Sequence, residues 1–133
     1  MLRSILAVIA GFMVMVFFVG FGTSIAAGLL IGPVQPGTTP QLTLPYLAVN
    51  LALSFVAAII GGWVAGTIAG REPLIHAGAL SILVLVMAVV TILISRGTPE
   101  AAAQPKWYQW VVTILGAAGV LVGGVMRGEQ NDA

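Results

Sequence analysis

"GGWVAGTIAGREPLIHAG", residues 61–78, places four glycines in its first ten positions. The charged pair Arg71-Glu72, Pro73 and the only histidine of the chain, His76, follow. In water each interior glycine costs a helix about 1 kcal/mol relative to alanine, so this is not the pattern of a soluble helix. Local rules divide the stretch. Gly70 can adopt the left-handed conformation that closes a helix and satisfies its late carbonyls. Pro73 suits the first turn of the next helix, where a missing N–H costs nothing. A tight turn at 70–73 then makes the flanking helices antiparallel neighbours.

Outward from this hairpin the chain is apolar. Of its 133 residues 59% are hydrophobic and 7% charged, where a soluble domain carries roughly 25% charged residues; the mean hydropathy is +1.11. Four stretches reach the roughly 20 residues that a membrane-crossing helix needs: about 5–31, 46–69, 74–94 and 107–126. All seven prolines fall outside these cores, as unbroken helices require. Nothing alternates in polarity as barrel strands do. The expected fold is an all-α, integral-membrane four-helix bundle forming one domain over 1–133, with outer loops at 32–45 and 95–106. The N-terminal run also resembles a signal peptide ending near Ser24-Ile25-Ala26, which would leave three spans. It exceeds the 7–15 apolar residues of such a segment, and a retained first helix is the expectation.

Five Lys/Arg against four Asp/Glu give a net charge of +1, too little for a nucleic-acid surface. Without cysteine, disulfides, thiolate catalysis and Cys-based metal sites are excluded. Arg3, Arg71 and Arg127 fall on one side of a four-span arrangement and Arg96 and Lys106 on the other. Cationic residues favour the cytoplasm, so both termini are expected inside a cytoplasmic membrane, on a margin narrow enough for dual orientation. Tyr46, Trp107, Tyr108 and Trp110 gather at the outer starts of helices two and four, where aromatic anchors sit; a docking surface is the alternative.

The outer loops share a pattern. Gly37-Thr-Thr-Pro40 precedes Pro45-Tyr46, and Gly97-Thr-Pro99 precedes Pro105-Lys106-Trp107. Glycine pairs follow at Gly61-Gly62 and Gly123-Gly124, then Arg71 and Arg127. This suggests two similar hairpins related by an axis along the membrane normal.

Small residues recur at spacing four. Helix two carries Asn50, Ser54, Ala58, Gly62, Gly66 and Gly70, and helix one carries Gly20, Ser24, Gly28 and Gly32. Residues at this spacing share a ridge, and in lipid small residues let backbones approach closely. Helix one is therefore expected against helix two along these rows, with Asn50 bonded to Thr23 or Ser24. Gly116, Gly119, Gly123 and Gly124 offer a further small face, for a third contact or for another subunit.

No span carries Asp, Glu, Lys or Arg at mid-depth, the usual mark of proton relays and ion paths. His76 has no second His or Cys for a metal site, so no metal or cofactor is expected; it reads as an interfacial side chain satisfied by Glu72, water or a headgroup. "GGWVAGTIAGREPLIHAGAL" and "QPKWYQWVVTILG" resemble a set of small, uncharacterised bacterial inner-membrane proteins with four helices. The resemblance implies the fold and location without an activity, and marks Arg71, Pro73, His76, Trp107 and Trp110 as candidate positions. The leading functional expectation is a non-catalytic scaffold or accessory subunit, contacting lipid and other membrane subunits or copies of itself. The alternative is a small oligomeric transporter or channel for an uncharged or weakly charged solute, lined by Asn50, Ser54 and Thr67. An enzyme using His76 or Arg71 on lipid headgroups is the third.

Overall fold

The computed structural model describes residues 1–38 and 41–132. Thr39 and Pro40 of the first loop pattern lie outside the described residues. Five helices follow in order, α1 (Leu2–Leu30), α2 (Leu44–Ala69), α3 (Pro73–Ile94), α4 (Pro99–Ala103) and α5 (Lys106–Asp132), with no strand among the described residues. α1, α2, α3 and α5 are long and apolar enough to cross a membrane. The shortest has 22 residues and, at 1.5 Å per residue, is about 33 Å long, enough for a hydrocarbon core of about 30 Å. The protein is an all-α, four-helix, multi-pass membrane protein.

The helix ends follow their local chemistry. Gly32 (φ +77°) closes α1, its N–H donating to the Ala27 carbonyl at 3.0 Å. Gly70 is left-handed (φ 72°) and closes α2. Pro73 opens α3, and Pro99 opens α4 behind Thr98, whose hydroxyl accepts from the Ala101 N–H at 3.3 Å. Several features differ from the sequence reading. α1 already starts at Leu2. α2 starts at Leu44, because Pro45 sits in its first turn after the extended Thr43. The second loop contains α4, capped by Thr98. α5 continues through Arg127 to Asp132, beyond the apolar run, since polar residues continue a helix freely once it leaves lipid.

α2 lies at the centre, packed chiefly against α1 and α5, while α3 packs mainly on α5. The core is thin and made of small residues. Ala58, Ala65, Ala77, Leu80, Val84 and Val120 form one cluster, and Ala26, Tyr46, Leu47 and Tyr108 another toward the α4 end. Most large aliphatic side chains face outward, as expected where lipid is the solvent and helix contact depends on close backbone approach.

The α1–α2 seam is not the one expected. Gly20, Ser24 and Gly28 are exposed, and nothing lies within 4 Å of where a methyl on Gly20 or Gly28 would stand. Ser24 donates back to the Gly20 carbonyl at 2.8 Å and needs no partner helix. The contact is made by Gly11, whose added Cβ would stand 2.6 Å from the Gly61 carbonyl oxygen, and by Gly22, which lies under Leu53. At about 100° per residue, Gly20 is turned some 200° from Gly22, so burying Gly22 sends the Gly20 row outward.

The α2 row turns to α5 instead. A Cβ on Gly119 would come 2.8 Å from that of Ala58, Gly62 lies against the Val120 carbonyl, and a Cβ on Gly66 would come 3.2 Å from Cγ of Arg127. Gly70, at the end of the row, is exposed beneath the Arg3 guanidinium.

Candidate binding cavity

Asn50 joins three helices. Its Oδ1 accepts from the Thr23 hydroxyl of α1 at 2.6 Å, and its Nδ2 donates to the Tyr108 hydroxyl of α5 at 2.5 Å. Of its two expected partners Thr23 is bonded and Ser24 is not. The link to Tyr108 was not legible, because 58 residues separate the two and an aromatic at a helix start reads as an interfacial anchor.

The aromatic group therefore divides. Trp107 and Trp110 are 50% and 57% exposed, whereas Tyr46 and Tyr108 are 8% and 4% exposed. The tryptophans alone keep the outward placement expected of anchors. The Trp107 ring stands edge-on to Tyr108, with centroids 6.0 Å apart.

Beside the Asn50–Tyr108 pair lies a cavity of about 370 Å³. α2 contributes Asn50 and Ser54; α5 contributes Tyr108, Gln109 and Thr113. α3 adds Thr91 and its C-cap residue Ser95, and the connection through α4 adds Thr98 and Gln104. Val19, Ala88, Ile92 and Val112 complete much of the apolar remainder. None of these lining residues is Asp, Glu, Lys, Arg or His. Tyr108 also belongs to the cluster of Ala26, Tyr46 and Leu47, with Leu51 and Val112 packed against it.

Below the cavity the helices close. Gly123 lies against the Ile59 carbonyl and Gly124 against Ala77, as tightly as Gly62 lies against Val120. Thr67 does not line this cavity: its hydroxyl donates to the Trp63 carbonyl at 2.8 Å, near the opposite end of α2. The expected lining set is thus reduced to Asn50 and Ser54.

The candidate residues marked by resemblance do not converge. Arg71 is exposed in the turn before α3, and Pro73 packs its ring toward Gly66. His76 Nδ1 lies 3.0 Å from the Glu72 backbone carbonyl; donation to that oxygen requires the proton on Nδ1 and leaves Nε2 as an acceptor. It borders a shallow, mostly apolar groove with Ser4 and Val8 of α1. Trp107 and Trp110 belong to the opposite, α4 end. At the turn end, Arg3 donates to the Ile68 carbonyl at 2.8 Å. Gln130 Oε1 accepts from both Trp63 and Arg127 at 3.3 Å, tying α5 to α2.

No family model, curated protein or solved structure matches the chain.

Proposed function

We propose that this protein is a non-catalytic membrane protein that takes a small uncharged polar solute into the cavity between α2, α3 and α5. The observation that carries the reading is the lining. Among the described residues nine neutral hydrogen-bonding side chains border one cavity of about 370 Å³, whereas the main buried core cluster is Ala, Leu and Val. A polar group in hydrocarbon is costly unless it is bonded, and the hydrogen-bonding capacity these side chains keep beyond their bonds within the chain suits a polar occupant. The volume is at the small end of the roughly 300–1,000 Å³ typical of ligand pockets. Among the described lining residues there is no carboxylate, ammonium, guanidinium or imidazole, and these residues offer hydrogen bonds to a solute without compensating a full charge. The glycine contacts below the cavity leave no passage, so transport across the membrane would require α2 and α5 to part.

Arg3, Arg71 and Arg127 on the turn side favour cytoplasmic termini, and the resemblance to small bacterial proteins favours an inner membrane. The deciding experiment titrates purified protein in mild detergent with acetamide and with acetate, two solutes of nearly equal size that differ in charge. Saturable binding of acetamide, absent for acetate and lost in Asn50→Leu, is expected. Equal response to both, or to neither, rejects the reading.

A scaffold or accessory role is the second reading, favoured by the outward placement of Gly20, Ser24 and Gly28. With no native cysteine, Gly20→Cys reports on it cleanly. A helix seated on this row gives disulfide crosslinks in native membranes that Ile82→Cys, on an exposed face of α3, does not give.

A further inference from the structure

Resting on the reading of the cavity as a solute site, we infer that its ligand is a small neutral carbonyl compound that also carries hydroxyl or N–H donors. Its carbonyl oxygen is held at the Asn50–Tyr108 corner. The argument is a count of hydrogen-bonding capacity around the walls. Asn50 Oδ1 receives the Thr23 proton, and one of the two N–H groups of Nδ2 goes to Tyr108. The Tyr108 oxygen, having accepted that bond, keeps its own proton to donate. Both members of the pair border the cavity. What they still offer it is the phenolic O–H and the second amide N–H, and Ser54, one turn deeper on α2, adds a hydroxyl. This corner is rich in donors and calls for an acceptor oxygen.

The other walls add acceptors: Ser95, Gln104 and Gln109 bring donors and acceptors alike, and the three threonines bring oxygens whose protons are already engaged. Thr91 donates to the Met87 carbonyl at 2.8 Å, Thr113 to the Gln109 carbonyl at 2.8 Å and Thr98 to the Ser95 carbonyl at 3.0 Å. Each hydroxyl proton is thereby engaged by local backbone; the Thr91 and Thr113 oxygens keep two lone pairs for a donor and Thr98, which accepts from the Ala101 N–H, keeps one. A ligand matching both sides has an acceptor at one end and donors at the other. A hydroxyketone or a small primary amide meets this requirement, whereas a polyol brings a hydroxyl to a corner suited to a carbonyl.

The test compares dihydroxyacetone with glycerol, three-carbon solutes that differ in a central carbonyl against a central hydroxyl. Binding is followed by tryptophan fluorescence, since the Trp107 ring stands against that of Tyr108. Dihydroxyacetone is expected to bind about tenfold more tightly than glycerol, the discrimination of one well-placed hydrogen bond. Tyr108→Phe, which keeps the ring and deletes the donor, should abolish the preference and bring the two affinities within about twofold of each other. Equal affinities in the wild type would mean that Tyr108 gives its proton to Asn50 and has none to offer, which overturns this inference and leaves the solute site standing. Failure of both solutes, together with failure of acetamide, overturns the solute site itself. Should Tyr108→Phe not fold, the wild-type comparison of the two solutes decides alone.

Discussion

Gly62 and Gly123 are each pressed onto a backbone carbonyl of the other's helix, Gly62 onto Val120 and Gly123 onto Ile59. One shift of 61 residues carries Gly62 to Gly123 and Ile59 to Val120, so the two contacts are images of each other. The same shift pairs Ala58 with Gly119 and Gly66 with Arg127, residues that meet across the same seam. α2 and α5 are thus related locally by a twofold axis running between two parallel helices, the arrangement of parallel repeats in a membrane. At the cavity the symmetry is broken in composition: the positions equivalent to Asn50 and Ser54 are Val111 and Leu115. The α2 positions carry polar side chains and their α5 equivalents carry hydrocarbon.

The reciprocal contact makes Gly62 and Gly123 intolerant of the smallest side chain. A methyl on either meets a backbone carbonyl that cannot rotate away, so Gly62→Ala and Gly123→Ala should each cost about 1–3 kcal/mol by overpacking. Gly20→Ala, facing open space, should stay within about 0.5 kcal/mol of wild type. Reversible unfolding in mixed micelles measures all three. Equal losses at Gly20 and Gly62 would mean that α1, not α5, covers the α2 row.

Thr23, Asn50 and Tyr108 form a chain of side-chain hydrogen bonds joining α1, α2 and α5. A double-mutant cycle with Asn50→Leu and Tyr108→Phe should return a coupling of about 0.6–1.7 kcal/mol, the range of hydrogen bonds between membrane helices. Additive effects would show that the two side chains do not share a bond.

Glu72 is the only non-glycine residue with positive φ (49°) among the described residues. It immediately precedes Pro73, and left-handed backbone costs a residue with a Cβ about 1–2 kcal/mol. Glu72→Gly is therefore expected to stabilise the protein by about 0.5–1 kcal/mol, and Gly70→Ala, at φ 72°, to destabilise it by a similar amount. Thermal unfolding of both variants tests the turn geometry. A loss of stability in Glu72→Gly would show that the carboxylate has a partner worth more than the strain.

The long helices, the turn at Gly70 and Pro73, and the bond from Asn50 to Thr23 were legible because each rests on neighbouring residues or on a run of hydropathy. The buried face of α1 was not. Rows at spacing four are common in any glycine-rich helix, and the row that is buried is selected by the partner. The informative signal was the interval of eleven between Gly11 and Gly22, about three turns, which returns both to one face. The cavity was less legible still. Its walls come from α2, α3, the α4 connection and α5, with Val19 of α1, and its polar residues read singly as helix glue or loop residues. Only the close approach of α2 to α5 brings Asn50 beside Tyr108.

Ala88 offers a way to close the cavity without touching its hydrogen bonds. It lies on α3 among the lining residues, opposite the Asn50–Tyr108 corner in composition as well as in helix, and has no polar atom to lose. Ala88→Leu adds three carbons to a wall of a cavity of about 370 Å³ and brings apolar surface into a site built for polar contact. Because the space exists, the fold should tolerate the change within about 1 kcal/mol, unlike the glycine substitutions at the seam. Solute binding, by contrast, should fall at least about tenfold, through both lost volume and the unpaired polar groups that the leucine would face. Retention of acetamide binding alongside an unchanged melting temperature would place the solute elsewhere on the molecule. Loss of binding with the fold intact would separate the cavity's role in recognition from its role in holding the helices together, which substitution of Asn50 alone cannot do because that residue serves both.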